Sequence, residues 1–359
     1  MQSAEALSES FDRFARLEVR GFSPLYDMLA TGISADPEML SLAAHARSGQ
    51  PAPNLFLAAA HWLLLKGADH PVSAYYPSIA GASTGDGDPY PHFRSFCLEH
   101  RQEIIGLIST RLVQTNVVNR CASLMPAFAS MALRSNGQPI SLVEIGASAG
   151  LNLLWDRYGY SYGDGLTYGD AASPVQVSCT LRGSHRPPIP DVLPPVVSRL
   201  GLDLNPIDLN NPEATQWLIA LVWPERGDER ELLRAAIKLS QTDPPVVIPG
   251  DALELLPNVC KSVPQDSTLC IFHSHTLNQF SHEARARWWE IIEQIGSERD
   301  IWVVSQEIER GRDHAAVELT WIENGVMERR HLANCDSHSQ WLEWLDPETK
   351  DKMSDNEPV

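Results

Sequence analysis

A change of pattern at Ile140 constrains this chain more than any other feature. Beyond it, short β-branched runs alternate with helix-like stretches. ISLVEI precedes LNLLWDRY, and a run at 202–204 precedes helical spacings over 213–222 and 230–240. Further runs follow at 246–248 and 269–272, then a helix over 282–295 and the run IWVVSQE. Parallel strands need crossover connections, which helices supply, so the alternation predicts an α/β fold with a doubly wound, mostly parallel sheet. AVELTWI and VMERRHL, joined by Glu323-Asn324-Gly325, predict a closing antiparallel hairpin, because Asn-Gly accepts the positive φ of a tight turn. Upstream of Ile140 the apolar spacing is helical, as in Ile104, Ile105, Ile108 and Leu112, then Val117, Cys121, Leu124, Phe128 and Met131. The expected organisation is a helical cap or lid region over 1–139, an α/β domain over 140–345, and a disordered acidic tail over 346–359. The glycines and prolines of 75–91 predict a loop, and 159–195 reads as loop-rich with a strand at VQVSCTL.

Composition narrows the function. The net charge of −18 repels phosphates and anionic membranes, which argues against nucleic acid as a partner and favours a small-molecule substrate. The most apolar stretch, 55–65, is too short to span a bilayer and contains His61. The six cysteines are scattered with no C-x-x-C pair, which predicts reduced thiols and no metal site. With no secretory signal at the N-terminus, these features point to the cytoplasm.

The chemistry concentrates in LVEIGASAGLN, residues 142–152, a predicted strand, turn and helix. Such a junction is expected to offer backbone N–H groups and a helix N-terminus to an anionic group, with Glu144 orienting a ligand amine or hydrogen-bonding the loop. The glycines at 146 and 150 do not make a dinucleotide G-x-G-x-x-G, and no phosphate-binding G-x-x-x-x-G-K-[ST] occurs. Gly146-Ala147-Ser148-Ala149-Gly150 fits a serine-hydrolase elbow, with Asp251 and His314 in the right chain order, but the preceding chain is helical and no oxyanion loop precedes it. A tight turn with no ligand is the plain alternative.

Glu144-Ile145-Gly146-Ala147-Ser148-Ala149-Gly150 also resembles the acidic-x-G-x-G-x-G loop of class I S-adenosylmethionine-dependent methyltransferases, with Ser148 in place of the middle glycine. That resemblance implies a Rossmann-like fold binding S-adenosylmethionine, with Glu144, Gly146, Ala147, Ser148, Gly150 and Asn152 around its methionine end. It implies Asp203 and Asn205, or else Asp208, at the ribose. It further implies Gly250, Asp251 and Ala252 at the adenine. The chain is also similar to an uncharacterised bacterial family of this methyltransferase-like type. That likeness rests on Gln114-Thr115-Asn116, Arg120, residues 144–163, Gly201-Leu202-Asp203-Leu204-Asn205-Pro206, Leu221-Val222-Trp223-Pro224-Glu225 and Gly250-Asp251-Ala252. The expected function is methyl transfer to a small molecule. A catalytically inactive binding or regulatory module, and a hydrolase using Ser148, are the alternatives.

Several residues are candidates for the remaining roles. His273 and His275, at the end of the fourth strand, are expected to supply a base, since imidazole titrates near neutrality. Gln114, Asn116, Asn119 and Arg120 put hydrogen-bonding groups at an expected helix start. Asn116 and Arg120, four apart, would share a face as a pocket wall, or Thr115 or Asn116 would be a plain N-cap. Tyr75 and Tyr76 before Pro77 would form part of a lid or anchor the long loop. The tryptophan pairs 288–289 and 341–344 read as packing, and Arg285 and Arg287 as a solvated face.

Overall fold

Among the described residues three α-helices begin with a side-chain cap followed by proline: Ser23-Pro24, Asp36-Pro37 and Asn211-Pro212. Each cap side chain accepts N–H groups of the first turn, and proline sits where no N–H partner is needed. The structure is a computed structural model that describes residues 3–81, 85–135, 137–308 and 311–345. It forms two compact units. One comprises Met1–Thr115 with Asn210–Glu231, the other Asn116–Leu209 with Leu232–Val359.

The first unit is helical: α1 (Ala4–Phe14), α2 (Pro24–Ser34), α3 (Pro37–Ala43), α4 (Ala52–Leu65), α5 (Pro77–Ala80), α6 (Tyr90–Glu99) and α7 (Arg101–Thr110). Phe11, Phe14, Phe56, Phe93 and Phe96 form the centre of its core. The later segment 210–231 joins it through α9 (Pro212–Ala220), whose Trp217 indole donates to the Leu112 carbonyl at 2.8 Å. His61 lies 2.9 Å from the Ala220 carbonyl and 2.8 Å from the Ser78 hydroxyl. A carbonyl only accepts, so Nδ1 carries the proton and Nε2 accepts from Ser78. Burial lowers the His61 pKa to about 4, so it is a neutral, satisfied core histidine.

The second unit opens with α8 (Cys121–Arg134) and continues through β1 (Ile140–Ile145), β2 (Gly159–Ser161), β3 (Tyr168–Gly169), β4 (Gln176–Ser178), β5 (Thr180–Arg182) and β6 (Val196–Asp203). The chain re-enters it within α10 (Gly227–Ser240). There follow β7 (Val246–Pro249), α11 (Ala252–Ser262), β8 (Thr268–Ser274), α12 (His282–Glu298), β9 (Ile301–Ile308), β10 (Ala315–Glu323), β11 (Val326–Cys335) and β12 (Trp341–Trp344). Among the described residues the large sheet has nine strands in the order β5-β12-β11-β10-β9-β8-β1-β6-β7. The five strands β7, β6, β1, β8 and β9 are mutually parallel. The chain therefore winds one way from β1 to β6 and β7 and the other way to β8 and β9. The direction reverses between β1 and β8. β10 and β11 form the expected hairpin, with Asn324 and Gly325 at φ 50° and 76°.

Side chains alternate across the sheet. Val143, Ile145, Leu269, Ile271 and Val303 pack under α11 and α12. On the opposite face Phe128 of α8 meets Phe272 edge-on at 5.2 Å and Trp155 at 4.7 Å. Helices thus cover both faces, as a buried parallel sheet requires.

Several expectations change. The units do not divide at 139/140: α8 belongs with the sheet because Phe128 packs on it, and 210–231 belongs with the helices. VQVSCTL splits into β4 and β5. β4 joins a small sheet β3-β2-β4, and β5 becomes the far edge of the large one. Within the expected loop 75–91 the backbone makes α5, and the run at 202–204 is the end of an eight-residue strand. Residues 346–359, expected to be disordered, lie outside the described residues.

Gly201 faces the β1 loop, and a Cβ there would lie 2.6 Å from the Ala147 Cβ. Gly201→Ala is expected to destabilise by roughly 1–3 kcal/mol through overpacking. Gly106→Ala, on an open face of α7, should stabilise by about 0.5–1 kcal/mol. Urea unfolding of both variants checks the contrast.

Candidate functional site

In open α/β sheets ligands bind beyond the carboxyl ends of the strands, where the winding reverses. Here that place lies between β1 and β8. Glu144 ends β1 on the α8 face, because its neighbours Val143 and Ile145 point into the opposite core. Only 2% of it is exposed. One carboxylate oxygen is 3.5 Å from the Asn152 amide, whose carbonyl oxygen in turn faces the Cys121 thiol at 3.5 Å; the other oxygen has no partner. Burial pushes this carboxyl well above the usual range. The Asn152 contact opposes that, the Asp203 charge adds to it, and Arg120 opposes it.

The loop after Glu144 is braced from all sides. The N–H groups of Gly146 and Ala147 donate to the Leu202 carbonyl at 2.8 and 3.3 Å. The Ser148 N–H donates to the Asp203 carboxylate at 2.8 Å, and the Ser148 carbonyl accepts from Ile207 at 3.0 Å. The Gly150 N–H closes on Ala147 at 2.7 Å, and the Leu151 N–H donates to the Asn116 side chain at 3.1 Å. This corrects the anionic seat expected from the sequence, since these amides are already spent within the protein. The expected helix is a seven-residue 3-10 turn, Leu151–Arg157, too short to build a dipole of consequence. Both glycines have reasons inside the fold. Gly146, at φ 71°, would place a Cβ 2.4 Å from the Thr276 hydroxyl, and Gly150, at φ 75°, one 2.8 Å from Pro245.

Ser148 adopts φ 56°, costly for a residue with a Cβ, and its buried hydroxyl has no hydrogen-bond partner. No base touches it: Asp251 is the N-cap of α11, accepting from Leu253 at 2.8 Å, and His314 pairs with Asp313. Asp203, at the end of β6, also accepts the Asn205 N–H at 2.7 Å, and its carbonyl accepts the Gly250 N–H at 2.9 Å. The loops after β1, β6 and β7 are therefore tied together. Asn205 and Asp208 are exposed, and the Ala252 side chain is buried in the core.

Beyond β8 the two histidines part. His273 shares a face with Leu269 and Ile271, its ring edge-on to Trp288 at 5.5 Å and its Nδ1 2.8 Å from Glu307. It is therefore on the face opposite Glu144. Glu307, which the sequence reading did not single out, also accepts the N–H groups of Thr276, Leu277 and Asn278 at 2.8, 3.0 and 3.2 Å. Burial alone would raise its pKa. The hydrogen bond and charge of His273, with the Thr276 and Leu277 amides, outweigh that and hold it at about 2. His275 stands just past the strand at φ 52°, its buried Nε2 without a partner. Burial takes its pKa down to about 3; Arg120 and His338 push the same way and Glu307 opposes.

The segment 336–340 (DSHSQ) is a second component that carried no motif signal. The Asn119 amide donates to the carbonyls of His338 and Ser339 at 2.9 and 3.1 Å, and Arg120 Nε donates to Ser337 at 3.0 Å. Ser339, fully buried at φ 55°, meets the hydroxyl of Ser123 at 2.9 Å and accepts from Gln306 at 3.0 Å. Asn116 lies outside any helix or strand and Arg120 in a 3-10 turn whose cap position is Val117, so the shared helix face and the N-cap at Thr115 or Asn116 are both corrected. Gln114, Tyr75 and Tyr76 belong to the first unit. There Tyr76 is fully buried against His61, and Tyr75 stacks on His92 and donates to the Asp86 carbonyl at 3.1 Å, so both are anchors instead of lid residues. Among the described residues no group of three metal-ligating side chains converges, and no helix is long and apolar enough to cross a membrane. All six cysteines are free and buried.

The model of a family described as an uncharacterised protein conserved in bacteria, DUF2332, matches residues 8–344. The chain belongs to this family. The DUF2332 match takes in both units and every site residue above. No curated protein and no solved structure matches the chain.

Two carboxyl groups give opposite predictions. The folded pKa of Glu307 is depressed, so its stabilisation is full above the unfolded carboxyl value of 4.5 and is lost as pH falls through about 2. Glu307→Gln should cost about 3 kcal/mol near neutrality and flatten the acid side of the stability curve, measured by urea unfolding across pH. Glu144 is raised, so its ionised form opposes folding increasingly as pH rises. Glu144→Gln should therefore be more favourable to stability at about pH 8 than at about pH 5, read by urea unfolding at the two pH values.

Proposed function

We propose that the second unit binds S-adenosylmethionine and transfers its methyl group to a small-molecule acceptor. One observation carries this reading: a carboxylate oxygen of Glu144 and the hydroxyl of Ser148 are buried without partners beside the winding reversal. Buried polar atoms are almost always paired in folded proteins, so orphans in a braced loop fit a ligand that completes them. Glu144 accepts, and Ser148 can accept. With the amides of Gly146, Ala147, Ser148, Gly150 and Leu151 already spent, the ligand that complements Glu144 and Ser148 brings donors to this spot, as an amino acid ammonium does. Asp203 supports the next contact. Its carboxylate accepts the N–H groups of Ser148 and Asn205, which sets it beside the Glu144 loop, where the ribose lies in this reading. Gly250 and Asp251, tied to Asp203 through the Gly250 N–H, line the adenine end in this reading. The parallel order from β7 through β6, β1 and β8 to β9, flanked by antiparallel β10, is the arrangement expected of a class I methyltransferase-like domain.

Bound there, S-adenosylmethionine supplies a methyl group already activated on a sulfonium sulfur. The protein's contribution is then alignment and exclusion of water. The hydrolase alternative loses ground, because Ser148 has no base in contact and its expected partners are engaged elsewhere.

Titration calorimetry with S-adenosylmethionine and its demethylated product tests the proposal. Both should bind, and Glu144→Ala and Asp203→Asn should each weaken binding by about tenfold or more, roughly 1.4 kcal/mol. Absence of heat with both ligands would overturn it.

A further inference from the structure

The sequence His273-Ser274-His275 looks like two equivalent candidates for one catalytic role, and the structure separates them. Glu307 on β9 gathers His273 and three consecutive amides, those of Thr276, Leu277 and Asn278. That carboxylate builds the turn leaving β8, with His273 as one of its struts. The turn is also fixed to its neighbours. The His275 N–H donates to the Gln306 carbonyl at 2.9 Å, the His275 carbonyl accepts from Gln279 at 2.8 Å, and the Thr276 hydroxyl donates to the Ile145 carbonyl at 3.1 Å. Thr276 thereby links the end of β8 to the end of β1, on either side of the winding reversal.

His275 is the residue this scaffold displays. Among the described residues four non-glycine positions have positive φ: Ser148, His275, Asn324 and Ser339. Asn324 belongs to the distant hairpin turn, where such a φ is ordinary. The other three all follow strand ends on the carboxyl side of the sheet, those of β1, β8 and β11. Strained backbone persists where the surroundings over-determine it, and it clusters at functional sites. Here the surroundings are visible: Gln306 joins the turn of His275 to Ser339, which Ser123 and Asn119 hold in turn.

We propose that His275 is the acceptor-side contact of the methyl-transfer site, with Nε2 receiving a hydrogen bond from a protic nucleophile, a hydroxyl or an amine, while His273 and Glu307 only position it. This inference rests on the methyltransferase reading. Nε2 is buried and unpartnered, so a donor in the acceptor completes it, whereas an ether or a tertiary amine leaves it bare. Burial and the nearby Arg120 disfavour the imidazolium form, and in the neutral ring's Nδ1–H tautomer, which the proposal requires, Nε2 is a hydrogen-bond acceptor that orients the nucleophile. The strain at φ 52° is then the conformational cost of presenting the ring.

The test pairs fragments of nearly equal shape, phenol against anisole and aniline against N,N-dimethylaniline, titrated into the full-length protein with and without S-adenosylhomocysteine. The ¹⁵N resonance of His275 Nε2 should shift with phenol or aniline and not with their methylated partners. His275→Gly, which relieves the positive φ, should raise the melting temperature and abolish fragment binding. His273→Gln should lower the melting temperature while leaving the preference for the protic fragments. Equal binding of the methylated fragments, binding retained in His275→Gly, or no binding of either protic fragment would overturn the inference. A failure of S-adenosylhomocysteine to bind, with phenol still shifting Nε2, would instead overturn the methyltransferase reading and leave the protic contact standing.

Discussion

A carboxyl group buried at the end of the central strand, with one oxygen unpartnered, sets the terms for everything around it. Glu144 would be driven to swing out, or its loop to open, unless the neighbouring chain prevented both. Prevention comes from lateral bracing: the β1 loop is bonded to the Leu202 carbonyl, the Asp203 carboxylate, Ile207 and the Asn116 side chain. Gly146 and Gly150 allow this closeness, because Thr276 and Pro245 fill the space a Cβ would need. The arrangement costs stability at Glu144 and returns it through the braces, the usual balance at a preorganised site.

The two glutamates show how position decides chemistry for one residue type. Glu144 is starved of donors and held towards its neutral form; Glu307 is saturated with donors and held as a carboxylate. Environments that push like groups apart in this way mark acid, base and binding roles in enzymes. Here they separate a group with an unpartnered oxygen from one committed to structure. The same division runs through the two histidines, one bound to Glu307 and the other with an open Nε2.

Much of this was legible in the residues. Alternation after Ile140 carried the parallel sheet, and Asn324-Gly325 carried the hairpin, because both depend on local periodicity or on a single φ. Glu144, Ser148, Asp203 and His275 could be named in advance, since each lies at the end of a recognisable strand or in the loop just after one. What escaped were relations between distant segments. Nothing near Ser148 announces that its N–H is taken by Asp203, so the loop looked ready for an anion. α8 looked like part of a helical cap until Phe128 was seen on Phe272. Glu307 had one faint signal, an acidic residue at the carboxyl end of the apolar run IWVVSQE, and DSHSQ had none.

The central claim is that the orphaned atoms beside the winding reversal form a seat for a nucleoside-bearing ligand. Amide hydrogen exchange, with and without S-adenosylhomocysteine, reads that claim segment by segment. The account predicts slowed exchange at 144–152, 203–207 and 250–252, the three tied loops. Unchanged exchange in all three, or slowing confined to the helical unit, would contradict it.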